Sequence, residues 1–337
     1  MIHLNKSYTT KTLISSLVLI VLLIIIINCG KEKPEIYHIG ILSGAKTFDD
    51  IADGFISKMS ELGYIEGKNV SYDHQKSDFD LNRYKSIIKK FISDKADLIF
   101  VFPTEPAVVA KESTLGTKIP VVFAMTGIER NNLVESVSRP GGNITGVRFP
   151  GPELTVRRLD ILIELVPEAK RVYIIYDKNY PNTLMALEGL RPAAASSGIK
   201  LIEDSVSTIE ELQLKLAERS KARNIGMDAI LLMPDILNNS IAGFELIKKF
   251  ADKCKIPIGG GMDFTADMGA LFSFVPNNKE QGELAAVLAN KIFDGVPAGT
   301  IMLITPPAKL RINYKVIQEL NISVSEGLLS RADEIIR

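Results

Sequence analysis

From Ile36 to Phe293 short β-rich apolar runs alternate with longer stretches of helical period, and the alternation runs through twice. This rhythm constrains the fold more than any other feature. A strand apolar along its whole length, such as Leu98–Phe102, needs cover on both faces, which is the situation in the middle of a parallel sheet. Crossovers of helix length between such strands make right-handed parallel connections. Strands are expected at 36–42, 70–72, 98–102 and 119–124, with helices at 48–62, 84–95 and 108–115. The first helix shows the period plainly: Phe48, Ile51, Phe55, Met59 and Leu62 form one stripe that stops at Gly63. A second series follows, with strands at 171–176, 200–204, 229–233, 256–259 and 270–275. Helices are expected around them at 157–165, 184–197, 209–222, 241–254 and 279–293. The expected class is α/β, as two doubly wound parallel-sheet lobes of ordinary domain size, dividing near 146–152 where Gly and Pro cluster.

The first thirty residues read differently. Lys6 and Lys11 precede an uncharged run from Thr12 to Gly30, after which Lys31-Glu32-Lys33-Pro34 is abruptly polar. That order of charge and apolar core predicts a signal peptide over 1–28. Cys29 at the end of the core is similar to the lipidated cysteine of a lipoprotein signal, with 29–35 as the linker behind it. An uncleaved membrane anchor is the second reading, since nineteen uncharged residues come close to the roughly 20 that span a bilayer, and simple secretion is the third. All three readings place residues 31–337 outside the cytoplasm. With Cys29 lipidated, Cys254 has no partner for an internal disulfide.

Composition narrows the function. Forty basic and forty acidic residues cancel, so nothing steers the chain to nucleic acid. Three His and two Cys, scattered along 337 residues, do not make a metal site or supply Ser-His-Asp or Cys-His chemistry. Gly259-Gly260-Gly261 lacks the context of a phosphate-binding loop. No cofactor and no catalytic residue are expected.

Open parallel sheets bind ligands outside the carboxyl ends of their strands. In the first lobe that directs attention to Ser43 and Gly44, Thr104 and Glu105, and Thr126; in the second to Tyr180, Asn182, Thr183, Asp235, Asp263 and Phe264. Hydroxyls and amides at helix starts suit a carboxylate, Asp235 or Asp263 an ammonium, and Phe48, Tyr180 or Phe264 an apolar side chain, a combination that fits an amino acid. Each Thr and Asp would serve equally as a helix N-cap, Glu105 as a first-turn acid, and Tyr180 and Phe264 as packing.

Several motifs carry a resemblance. They are Glu61-Leu62-Gly63-Tyr64-Ile65-Glu66-Gly67-Lys68-Asn69-Val70, Ile119-Pro120-Val121-Val122-Phe123, Arg139-Pro140-Gly141-Gly142-Asn143-Ile144-Thr145-Gly146-Val147, Leu165-Val166-Pro167-Glu168-Ala169-Lys170-Arg171-Val172, Pro181-Asn182-Thr183, and Gly282 through Gly295. In this order they resemble the ABC transporter substrate-binding family that includes tryptophan-binding lipoproteins. The resemblance implies the type I periplasmic binding-protein fold, with a three-strand hinge crossing near 147–151, 276–278 and 300–305. Lobe one would then be 36–147 plus 277–302, and lobe two 148–276 plus 303–337. It also implies an amino-acid ligand, aromatic or branched, held between the lobes of a monomer, with an ABC permease and ATPase as partners and a lipid anchor in the membrane. The family commonly has Asp-Pro where this chain has Gly127-Ile128, and Asn-Pro where it has Asp177-Lys178; tryptophan specificity is therefore not implied. A sensory ectodomain is the second reading and an enzyme on doubly wound lobes the third.

Overall fold

The structure is a computed structural model that describes residues 36–337; the expected leader, Cys29 and the linker lie outside the described residues. The chain runs β1 (Tyr37–Ser43), α1 (Asp49–Glu61), β2 (Val70–Lys76), α2 (Leu81–Ser93), β3 (Leu98–Phe102), α3 (Thr104–Ser113), β4 (Val121–Thr126) and β5 (Ile144–Arg148). These strands form one sheet in the order β2-β1-β3-β4-β5. The β1–β3, β3–β4 and β4–β5 pairs are all parallel. Every residue of β3 and β4 is buried, as their unbroken apolar runs demand. Phe55 of α1 stacks on Phe100 of β3 with ring centroids 4.2 Å apart, fastening helix to sheet. Local chemistry sets helix ends: the Asp80 carboxylate accepts from the N–H groups of Asn82 and Arg83 to start α2.

A second series follows: α4 (Gly151–Leu165), β6 (Arg171–Asp177), α5 (Pro181–Ser196), β7 (Lys200–Val206), α6 (Ile209–Arg219), β8 (Ala229–Leu231), α7 (Ile236–Asn239), α8 (Ile241–Cys254), β9 (Ile258–Gly259), α9 (Asp263–Asp267) and β10 (Phe272–Val275). Here the sheet order is β7-β6-β8-β9, again with parallel pairs. The two orders match, 2-1-3-4 against 7-6-8-9, so each sheet reverses direction between its first strand and its third. The chain then goes back: α10 (Asn278–Phe293) packs on α1 and against β4 and β5 of the first sheet. It returns once more as β11 (Lys309–Asn313), antiparallel to β10, and ends with α11 (Tyr314–Glu319), α12 (Glu326–Leu329) and β12 (Glu334–Ile336). Val147 and Ile304 form a parallel bridge, so the first and last crossings run side by side. The expected α/β class, two parallel-sheet lobes with three connections, is the observed fold.

Several elements differ from expectation. Helix α3 starts at Thr104 rather than 108 and α4 at Gly151 rather than 157, because the chain turns into helix directly at the strand end. β5 had no strand signal of its own; it exists through its ladder with β4. β11 and β12 likewise form by pairing onto β10.

Docking of α10 on α1 depends on two glycines. A Cβ on Gly54 would lie 2.1 Å from the Lys279 carbonyl oxygen, and one on Gly282 would lie 2.0 Å from that of Ile51. Two backbones so close leave no room for a methyl group. Either Gly54→Ala or Gly282→Ala is expected to cost about 1–3 kcal/mol of stability, read as a lowered urea midpoint; an unchanged midpoint would show that the helices can part freely.

Candidate ligand-binding site

Residues 38–337 form one contiguous unit, and a cavity of about 470 Å³ lies where the carboxyl ends of both sheets meet. The carboxyl ends of β1, β3 and β4 and the segments that follow them contribute Phe48, Pro103, Thr104 and Met125; the segments after β6, β8 and β9 contribute Tyr180, Asn182, Asp235 and Asp263. Of these strands, β1 with β3 and β6 with β8 flank the direction reversal in each sheet, where an open parallel sheet leaves a crevice. The register Ser43↔Phe102 brings the β1 and β3 loops out side by side.

One wall of the cavity is aromatic. Phe48 and Phe79 meet edge to face with centroids 6.1 Å apart, and Phe149 and Met125 extend the surface. The backbone is strained to present it: Asp78 and Phe79 sit consecutively at φ of 52° and 62°, and Met125 at 50°. Left-handed geometry at three non-glycine residues is costly and concentrates at binding sites. No sequence signal marks Phe79, whose position depends on its N–H bonding to the Gly44 carbonyl 2.9 Å away.

The expected site residues separate into two groups. Thr104, Tyr180, Asn182, Asp235, Asp263 and Phe264 line the cavity, whereas Ser43, Gly44, Glu105, Thr126 and Thr183 stand behind it. Ser43 is fully buried and donates to the Ala45 carbonyl at 2.8 Å. Gly44 permits close approach: a Cβ there would lie 2.7 Å from Pro103 Cδ. The Thr126 hydroxyl is buried and donates to the Ala124 carbonyl at 2.8 Å. Thr104 faces the cavity, but its Oγ1 already accepts from the Gly127 N–H. Phe264 packs edge to face on Phe244.

Asp235 lines the cavity at 3% exposure, yet its carboxylate is occupied. It accepts from the Asn238 N–H and Nδ2, the Asp177 N–H and the Thr183 hydroxyl, and caps α7. Its geometry is that of a strut, the capping alternative. Burial pushes its carboxyl up to about 6, against the pull of those donors. Asp263 is half-buried and lightly held, by Ser273 Oγ at 3.4 Å. Burial raises its pKa too, with Arg311 opposing.

Glu105 and Tyr180 face each other across the division between the lobes. Burial raises the Glu105 carboxyl, with its own backbone N–H and the Tyr180 hydroxyl opposing, while burial and Glu105 hold the Tyr180 hydroxyl protonated. Nearby, Arg130 pairs with Glu188 at 2.9 Å, and Asn182 lies against Gly127. These contacts link the β4 loop and α3 to the start of α5, along one rim.

Arg158 was absent from the expected set. It projects from α4 into the cavity at 1% exposure, donating from Nε to the Phe274 carbonyl at 2.9 Å and from Nη2 to that of Gly261 at 3.3 Å. Burial pulls its pKa down to about 10, with Asp263 opposing. A signal did exist: Leu154, Arg158, Ile161 and Leu165 follow helical spacing, which places an arginine in an apolar stripe. Among the described residues no group of His, Cys, Asp or Glu could hold a metal ion.

Known proteins agree with this architecture. The match to the ABC transporter substrate binding protein family spans residues 39–336. The chain belongs to that family. A tyrosine-binding protein of Clostridioides difficile is 27% identical over 310 residues, covering 91% of this chain and 84% of that protein. The ABC domain from Streptococcus pneumonia in complex with L-Trp superposes with a TM-score of 0.77 at 25% identity, covering 89% of this chain and all of the other. A ligand-free, open substrate binding protein with adhesive properties from Clostridium difficile gives 0.71 at 22%, covering 89% of this chain and 99% of the other. Substrate-binding proteins of this family capture solutes and are not a class of enzymes.

The raised Asp235 carboxyl sets a pH dependence. A folded-state pKa above the unfolded one means the native state binds more protons, so this group's contribution falls as pH rises through the interval from about 4 to about 6. Asp235→Asn removes that slope. Between pH 4 and pH 7 the unfolding free energy of the variant relative to wild type is expected to improve by on the order of 2 kcal/mol. Parallel urea curves at the two pH values measure it, and a constant difference would contradict it.

Proposed function

We propose that this chain is the extracytoplasmic solute-binding component of an ABC importer, capturing an aromatic or branched amino acid between its two lobes. The observation that carries the reading is the cavity itself: an aromatic wall from one set of strand ends faces buried charged groups from the other. A sugar site needs hydrogen-bonding groups along its length, whereas an apolar side chain with a charged head needs this division. The tyrosine-binding relative and the L-Trp complex support the choice of ligand class. Lobe one is residues 36–147 plus 277–302 and lobe two 148–276 plus 303–337, so that closure about the three connections buries the ligand and displays occupancy as a change of shape. The exposed lips dock on the permease, whose ATPase drives uptake, and the protein acts as a monomer held at the membrane through lipid on Cys29. Among the described residues no helix is long and apolar enough to cross a membrane.

Thermal unfolding against amino acids, sugars and nucleosides tests this. Ligand at 100 times Kd adds about 2.7 kcal/mol, a rise of several degrees for a protein of this size. The rise is expected with tyrosine, tryptophan, phenylalanine or a branched amino acid. Shifts with sugars or nucleosides alone would overturn the reading. Phe79→Ala should weaken binding of the responding amino acid roughly 5- to 30-fold through loss of aromatic contact, with little change in the apo melting temperature because Phe79 is only half-buried.

A further inference from the structure

Arg158 is the most buried arginine among the described residues. Arg148, Arg219 and Arg311, with side chains 16%, 27% and 17% exposed, each meet a carboxylate. Arg158, at 1%, has no carboxylate within 4.0 Å among the described residues. A guanidinium taken out of water costs several kcal/mol unless an anion meets it. Two backbone carbonyls take Nε and one Nη2 hydrogen, which fixes the plane of the group. Of the five N–H donors that leaves three, including both on Nη1. One from each terminal nitrogen forms an end-on fork, matching a carboxylate in two parallel hydrogen bonds.

The same cavity holds one acid in the complementary condition. Asp263 lines the cavity together with Arg158 and favours its charged form, yet among the described residues the two make no ion pair within 4.0 Å. The neighbouring Arg311 spends its guanidinium on Asp267 and Glu334 and gives Asp263 only a bond to its backbone carbonyl, at 3.1 Å. Asp235 has its carboxylate filled by the donors described above. Asp50, on the first-lobe rim, is exposed, so water competes for it. A buried cation and a half-buried anion thus line one cavity, close enough to feel each other and too far apart to neutralise each other. A zwitterion is the ligand that satisfies both.

We propose that Arg158 and Asp263 form the head-group clamp of the site, the guanidinium taking the ligand's α-carboxylate and the Asp263 carboxylate its α-ammonium. This rests on the amino-acid reading above and sharpens it. The substrate must be a free α-amino acid with both charges, its side chain lying toward Phe48, Phe79 and Phe149. Esters and decarboxylated amines are rejected because they leave the buried Arg158 without an anion, and deaminated acids because they leave the half-buried Asp263 without a cation.

Calorimetric titration of the full chain in detergent tests the clamp, using L-tyrosine with tyramine and 3-(4-hydroxyphenyl)propionate, and L-tryptophan with tryptamine and indole-3-propionate. Wild type is expected to prefer the amino acid over each truncated partner by roughly 100-fold or more, the scale of discrimination when a buried polar group loses its partner. Arg158→Gln should bring amino acid and amine to within about tenfold of each other, and Arg158→Lys should restore part of the gap. A residue that merely braced Phe274 and Gly261 would weaken all ligands alike and leave the ratios intact. Asp263→Asn, at a half-buried position, does not disturb the core and should collapse only the preference over the deaminated acid. Unchanged ratios in either variant overturn the clamp while leaving amino-acid capture standing, as does a collapse produced by Asp50→Asn instead. A wild-type protein that binds none of the common amino acids overturns both.

Discussion

A parallel strand cannot pass its chain directly to a neighbour; the chain must climb over one face of the sheet as a helix and re-enter at the starting edge. Consequently all carboxyl ends emerge together, and wherever the order of strands reverses, two adjacent loops turn apart and leave a crevice. Both sheets obey this with the same order, and the chain's return through α10 and β11 sets the two crevices mouth to mouth. The cavity is therefore a consequence of parallel pairing, and the residues in it are those that happen to follow strands.

The return has its own steric condition. α10 comes back from the far lobe to lie on α1, and Gly54 with Gly282 lets the helices approach to backbone contact. One side of the first sheet is therefore closed by a segment more than two hundred residues away in sequence. The three connections this creates hold the lobes in line, and the Val147–Ile304 bridge ties two of them together.

Within the cavity, low exposure raises the stakes of every charge. Asp235 is buried among donors and Glu105 half-buried beside a hydroxyl, and the first stiffens the β8–α7 turn through its hydrogen bonds to Asn238 and Asp177. Arg158 is held in position by neutral carbonyls, which orient it without quenching it. Preorganised and unquenched, it differs from the surface pairs, whose charges are already shared with water and partners.

Much of this was legible along the chain. The apolar run Leu98–Phe102 and the helical stripe ending at Gly63 determined a doubly wound architecture, and the strand-end rule located six cavity residues, among them Tyr180, Asp235 and Asp263. What it could not do was separate Thr104, facing in, from Thr126 and Thr183, facing away, since all three follow or flank a strand and their direction depends on the turn each makes. β5, β11 and β12 were decided by ladders to distant strands. Phe79 entered the wall through a left-handed turn that no residue type advertises, and Arg158 through the packing of α4 beneath the β9 and β10 loops. The sequence by itself determined most of the elements and the strand ends that line the cavity, because periodicity and strand polarity are local properties; only the tertiary structure decided which charges are satisfied and which are not, because Asp177 reaches Asp235, and Gly261 and Phe274 reach Arg158, across 58 to 116 residues of chain.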